Sequence, residues 1–223
     1  MCFSAEVSFA TAAVLVPGGL VCLKQALRIN KPYWAFALLP LLFGVQQFLE
    51  GAVWLALGGL YEYLLWPAVF GFLFFSHFLW LVWIPYSGFL TETNKLKRKL
   101  FFGMTILSVL FGASIYLPIL MNPDWLSVSI QQHAIYYDVE LIYDAILPRY
   151  AATVIYSVII LVPLLLSTDR YHNVLGILVT ISGLLTWAFF GLVFISVWCF
   201  FAAIISCYIF YQVVLTKHTL PSS

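Results

Sequence analysis

Thiol, carboxylate and imidazole side chains are few in this chain, and several of them lie inside long apolar runs. The sequence opens MCFSAEVSF, which carries Cys2, Ser4, Glu6 and Ser8 and no basic residue. Glu50 sits in QFLEGAV, His77 in FFSHFLW and Cys199 in ISVWCFF. Thiolate, imidazole and carboxylate together suit zinc or copper. A metal would keep Glu50 ionised by supplying local positive charge. On this reading the ligands are Cys2, Glu50, His77 and Cys199, with Glu6 and His133 in reserve. Without a metal, Glu50 and His77 form the proton relay of a small proton-coupled transporter. A third reading is a sensor or assembly factor with no chemistry. No HxxxH, HExxH or CxxC spacing is present.

Each residue also has a plainer role. Ser4 suits an N-cap, and Glu6 in the following turn favours the helix dipole. Cys22 and Cys207 suit small packing positions. His77 can be a neutral histidine bonded to Ser or Gln across helices. Glu50 is hardest to dismiss, because a lone carboxylate at membrane depth must be protonated, paired or metal-bound. Cys2 and Cys199 can instead form a disulfide on an oxidising face.

Composition fixes what must position these groups. The chain has 223 residues, 64% hydrophobic and only 9% charged, with a net charge of +1 and mean hydropathy +1.02. That is the composition of an integral membrane protein with the lipid bilayer as its first partner. It lacks the basic face that nucleic acid requires, whereas a small-molecule or ion ligand fits it. There is no Gly-rich phosphate loop. The first basic residues, Lys24 and Arg28, follow the first apolar run, so the opening is not a signal peptide.

A bilayer crossing needs about 20 apolar residues. Candidate spans cover 5–23, 33–58, 63–86, 100–121 and 150–166. The uncharged run from Asn173 to Thr216 would be about 66 Å long as one helix, twice the hydrocarbon thickness. It therefore crosses twice, as 173–190 and 192–216, with a turn near AFFGLVF. The expectation is one all-α polytopic domain over 1–223 with seven transmembrane helices. Lys24, Arg28, Lys31, Lys95, Lys97, Arg98, Lys99, Arg170 and Lys217 then share one side. Glu62, Asp124, Asp138, Glu140 and Asp144 share the other. The positive-inside rule places the N-terminus outside and the C-terminus in the cytoplasm. Cys2, Glu6, Glu50, His77 and Cys199 then belong to the outer half.

The one long connection, 122–148, is an extracytoplasmic cap. Ile135, Val139 and Ile142 recur at helical spacing, which predicts an amphipathic helix lying on the membrane. As a lid, the cap would add His133, Asp138 or Glu140 to an outward-facing site. On the second span Gln46 and Glu50 share a face, with Gln47 beside them. Gly44, Gly51 and Gly58 recur every seven residues and allow a helix to approach closely. On the last span Ser196, Cys199, Ala203 and Ser206 form a small, weakly polar inward stripe.

No lysine lies within a span, which excludes a retinal Schiff base. Alkaline-ceramidase-like hydrolases share seven helices but hold zinc through histidines on the last helix, which has none here; that likeness is only a distant analogy. The segments MCFSAEVSF, LLPLLFGVQQFLEGAVWL and FISVWCFFAA resemble those of an uncharacterised family of bacterial integral membrane proteins that open with MCFSA. The resemblance implies seven helices, a bacterial inner-membrane location and no particular reaction. Its segments contain Cys2, Ser4, Glu6, Glu50 and Cys199, and His77 lies outside them.

Overall fold

A computed structural model describes residues 4–144 and 149–215. Helix α1, Ala5–Ile29, begins where the Ser4 side chain accepts the Val7 N–H at 3.5 Å. The helical stretch α2 covers Lys31–Leu57, and α3 covers Glu62–Thr91. Helix α4, Lys95–Met121, starts at an Asn94 N-cap that accepts from Leu96 and Lys97. Helices α1 and α4 outrun their apolar segments, with Lys24 and Arg28 in the last turns of α1 and Lys95, Lys97, Arg98 and Lys99 in the first turns of α4.

Helix α5 is Arg149–Leu166, and α6 is Arg170–Phe190. After a 3-10 turn at Gly191–Val193, α7 runs from Phe194 to Ile205 and is followed by shorter segments to Leu215. The break between α6 and α7 is a true reversal. Trp198 Nε1 donates to the Val179 carbonyl at 3.4 Å, although 19 residues of continuous helix would hold them about 28 Å apart. The turn lies in AFFGLVF. By length and composition, five helical stretches among the described residues suffice to cross a membrane, the 45-residue Arg170–Val214 run being one of them. A shorter apolar helix covers Ala151–Leu166.

α1 and α2 pack along each other at unusually short range. A Cβ on Gly19 would stand 2.3 Å from the Leu41 backbone nitrogen. One on Gly44 would meet Val16 at 2.8 Å, and one on Gly51 the Phe9 ring at 2.9 Å. The seven-residue glycine repeat therefore marks a helix contact at Gly44 and Gly51, whereas Gly58 meets only carbonyls of its own helix.

The cap is not a helix. Strands β1, Leu126–Gln131, and β2, Ala134–Val139, form an antiparallel hairpin with Leu126 opposite Val139. Ile135 and Val139 fit both periods, since four residues is one helical turn and also two strand repeats. Tyr137 between them decides: Ile135, Tyr137 and Val139 are all buried, which is a strand face. LSVSIQ alternates apolar and polar residues in sequence. The turn residues Gln132 and His133 have φ of 50° and 59°, the left-handed pair a two-residue hairpin needs. The buried strand face packs on Val53, Val69, Phe72 and Ile119 and so closes that end of the bundle.

Candidate functional site

The hairpin, α2, α3 and α7 converge on Glu50, which is 2% exposed. Gln47 Nε2, one turn back on α2, donates to Glu50 Oε2 at 2.8 Å. The Ser196 hydroxyl, from α7, donates to the other oxygen, Oε1. Both carboxylate oxygens are thus satisfied by protein donors. Beside them, Gln46 Oε1 accepts the Trp80 indole N–H at 2.9 Å. Gln46 faces the Cys199 thiol across α2 and α7, and Glu50 faces both Cys199 and Tyr137. Tyr137 is held flat against Phe72, with ring centroids 4.9 Å apart and planes 9° apart.

Among the described residues, three atoms of this cluster have no partner at hydrogen-bond geometry: Gln47 Oε1, Tyr137 Oη and Gln46 Nε2, the last with the Cys199 thiol beside it. Buried polar atoms are nearly always paired, so three open valences around one carboxyl set this point of the bundle apart. Next to them lies a cavity of about 630 Å³, lined by His77, Tyr137, Asp138, Tyr156, Trp198 and Cys199 among others. Tyr137 and Cys199 stand on its wall, and Glu50 lies near enough to both to act on them electrostatically.

His77 reaches the cavity through a local change of helix. Phe75–Leu79 is a π turn within α3, a form that recurs at functional sites. The widened turn presents the Ser76 carbonyl to the Tyr156 hydroxyl at 2.8 Å, while Ser76 Oγ bonds His77 Nδ1 at 2.8 Å. Gly112 of α4 allows the approach, since its Cβ would meet the His77 carbonyl at 3.3 Å.

Of the groups singled out in the sequence, Glu50, His77 and Cys199 are brought to one region. Cys2 lies outside the described residues. Glu6 is exposed in the first turn of α1. His133 is exposed at the hairpin tip, and Asp138 lines the cavity. Cys199 is a free thiol. Among the described residues, no group of three or more His, Cys, Asp or Glu is placed to hold a metal. Tyr137 was hidden from the sequence reading by the helical assignment of its segment; the alternation in LSVSIQ was the signal for it.

A family model described as Family of unknown function (DUF6629) matches residues 1–222. The chain belongs to DUF6629. No curated protein and no solved structure matches it, and no comparison links it to alkaline-ceramidase-like hydrolases. For this DUF6629 chain the site must therefore be read from its own geometry.

A second polar cluster sits at the opposite end of the helices, and the sequence reading missed it. Glu92, after α3, accepts from the Asn94 N–H at 2.8 Å, the Thr168 N–H at 2.9 Å and the Thr168 hydroxyl. Burial pushes the Glu92 carboxyl up. The bonds from Thr168 and Asn94, with the Lys97 charge, outweigh that and hold it below its ordinary value. Asp169 caps α6 through the Tyr171 N–H at 3.2 Å and meets His172 Nδ1 at 2.7 Å. Burial pushes Asp169 up, and His172, the Tyr171 N–H and the Tyr33 hydroxyl together bring it below its ordinary value. Asn173 Nδ2 donates to the carbonyls of Leu164, Leu165 and Ser167 at the end of α5. This cluster clamps two loops together.

Proposed function

We propose that this DUF6629 member is a seven-crossing protein of the bacterial cytoplasmic membrane that binds a small molecule in a cavity in its outer half. The crossing count is supported by the reversal between α6 and α7 and by the apolar α5. The orientation is supported by Lys24, Arg28, Lys31, Lys95 and Arg170, which cluster at alternate connections, and by the acidic hairpin end. The polar head of the ligand meets Tyr137 and Cys199, with Glu50, Gln46 and Gln47 behind them. The observation that carries this reading is the set of three unpartnered polar atoms around Glu50, next to a cavity large enough for a small ligand.

The test is co-purification. Protein extracted in a mild detergent is denatured, and the released small molecules are quantified by mass spectrometry. Wild type retains a defined compound, and Tyr137→Phe retains it about 2- to 10-fold less tightly, the worth of one neutral hydrogen bond. Identical extracts from wild type, Tyr137→Phe and Glu50→Gln would defeat the reading. So would stoichiometric zinc or copper that disappears in both Glu50→Gln and Cys199→Ala, which would restore the metal assignment to Cys2, Glu50, His77 and Cys199. Access is measured separately. With Cys2, Cys22 and Cys207 changed to Ser, an impermeant methanethiosulfonate added outside spheroplasts labels Cys199; labelling only from the cytoplasmic face would reverse the orientation.

A further inference from the structure

The cavity beside Glu50 opens sideways, between two helices. Among the described residues that line it, Thr153, Val154, Trp187, Gly191 and Leu192 are exposed, and all five belong to α5 or to the end of α6 and its turn. The lining residues of α3, α4, α7 and the hairpin are buried or half-buried. Helices α5 and α6 are pinned together at their far ends. A Cβ on Gly176 would stand 2.8 Å from the Leu164 Cβ, and Asn173 Nδ2 donates to the Leu164 and Leu165 carbonyls. Thr153 and Trp187 each lie eleven residues from the Leu164–Gly176 contact, about 17 Å along their own helices. At that level the cavity stands between the pair.

The surface around this mouth is apolar. Val154 is 56% exposed, Trp187 72%, Phe189 73% and Leu192 61%. No charged residue and no histidine occurs from Asn173 to Thr216. An exposed apolar patch of this kind is a membrane-facing surface, and exposed Trp and Phe near a helix end suit its interface. Behind the rim the lining turns polar, with Ser76, His77, Tyr137 and Asp138. An apolar mouth and a polar interior match a molecule whose head is inside and whose tail stays outside. Building on the cavity reading above, we infer that the cavity opens into the outer leaflet and takes the head group of a membrane lipid, whose chains remain in the bilayer at the mouth. At about 630 Å³ the cavity has the size of a small-molecule site, and it has to hold only the head.

The experiment compares a lipid-borne probe with a water-borne one. The full-length protein is placed in nanodiscs doped with a phosphatidylethanolamine that carries an aryl azide on its head group. A parallel sample in undoped nanodiscs receives 4-azidobenzenesulfonate in the buffer. After irradiation, adducts are mapped by peptide mass spectrometry. The lipid probe is expected to mark Tyr137 or Tyr156 inside the cavity. Val154→Trp and Leu192→Trp should each lose those adducts and keep the ones on lipid-facing residues such as Leu110 and Leu184. Both changes are at exposed rim positions, so the added bulk falls in the mouth and not in the core; two variants are used so that one poorly folding protein does not decide the result. Lipid-probe adducts confined to lipid-facing residues, with the sulfonate marking Tyr137 or Tyr156, would overturn the lipid assignment while the cavity reading stood. Cavity adducts of the lipid probe that persist in both Trp variants would overturn the sideways mouth. Absence of both probes from Tyr137 and Tyr156 would overturn the cavity reading and the inference with it.

Discussion

Replacing Glu50 by Gln separates what the carboxyl does for the fold from what it does for a ligand. Glu50 accepts one hydrogen bond from Gln47 and one from Ser196. A Gln side chain keeps both, because Ser196 Oγ can accept from an amide and Gln47, whose Oε1 has no partner, can turn its amide over. The change gives up the extra strength of two charge-assisted bonds, about 1 kcal/mol each. It also removes the cost of a charge at membrane depth, about 2.5–3.5 kcal/mol on insertion scales. The two nearly cancel, so Glu50→Gln should change stability by no more than about 1–2 kcal/mol. At about 2–4 °C per kcal/mol, its Tm in detergent should stay within several degrees of wild type. Glu50→Ala differs, since it leaves the Gln47 donor unpaired and opens a void. Those effects together are worth about 3 kcal/mol or more and should lower Tm by about 6–12 °C. Thermal unfolding followed by intrinsic tryptophan fluorescence measures both, with ligand retention assayed in parallel. A Glu50→Gln protein as unstable as Glu50→Ala would refute the reasoning, because the carboxyl would then be a structural requirement and its burial would say nothing about a ligand.

Gly19→Ala places a methyl 2.3 Å from the Leu41 backbone nitrogen and should destabilise by about 1–3 kcal/mol; Gly103→Ala, with open space around it, should be neutral or slightly stabilising in the same melt. Because Glu92 and Asp169 titrate below their ordinary values in the folded chain, they add stability above the unfolded carboxylate range of about 3.9–4.3, and that stability is lost as pH falls through the folded values. Acid unfolding curves should therefore flatten in Glu92→Gln and Thr168→Val. Exchanging Gln132 and His133 for Asn and Gly matches the two positive-φ positions of the hairpin and should stabilise by about 0.4–1 kcal/mol, read as a higher Tm. Asp169→Ala removes both the α6 cap and the His172 bond and should cost about 2 kcal/mol, measured in the same way.

The parts of the fold governed by single-chain physics were legible in the sequence. Apolar length marked the helical stretches, and the Asn173–Thr216 run had to reverse because it was too long for one crossing. The Gln46–Glu50 face of one helix and the Ser196–Cys199 stripe of another each followed from helical spacing, all four residues are buried, and the two helices meet at the Ser196–Glu50 hydrogen bond. Failure came where two periods coincide. Ile135 and Val139 satisfy helix and strand equally, so the hairpin, and with it Tyr137, was lost. The Glu92 and Asp169 cluster was missed for another reason. TETN and STDRYHN look like ordinary polar loops, and only their meeting across 75 residues turns them into one clamp. The π turn at His77 has no sequence signature, and its consequence, a carbonyl offered to Tyr156, depends on a helix that arrives later in the chain.

The two clusters differ in what they leave unfinished. Around Glu92 and Asp169 the loops satisfy one another, apart from His172 Nε2, which is packed against Phe36 with ring centroids 4.4 Å apart. Around Glu50 three polar atoms are left open. Each unsatisfied buried atom costs about 1–3 kcal/mol, so three amount to about 3–9 kcal/mol against a typical total stability of about 5–15 kcal/mol. A Phe at position 137 would remove one of these open atoms, whereas apolar side chains at 46 and 47 would strand the buried Trp80 indole N–H and a Glu50 oxygen. The two glutamines and the carboxyl are held by bonds to Trp80, Ser196 and one another, and on the proposed reading a group in the adjoining cavity offsets the cost of the atoms left open. The closing hairpin places Tyr137 on the cavity wall, next to Glu50.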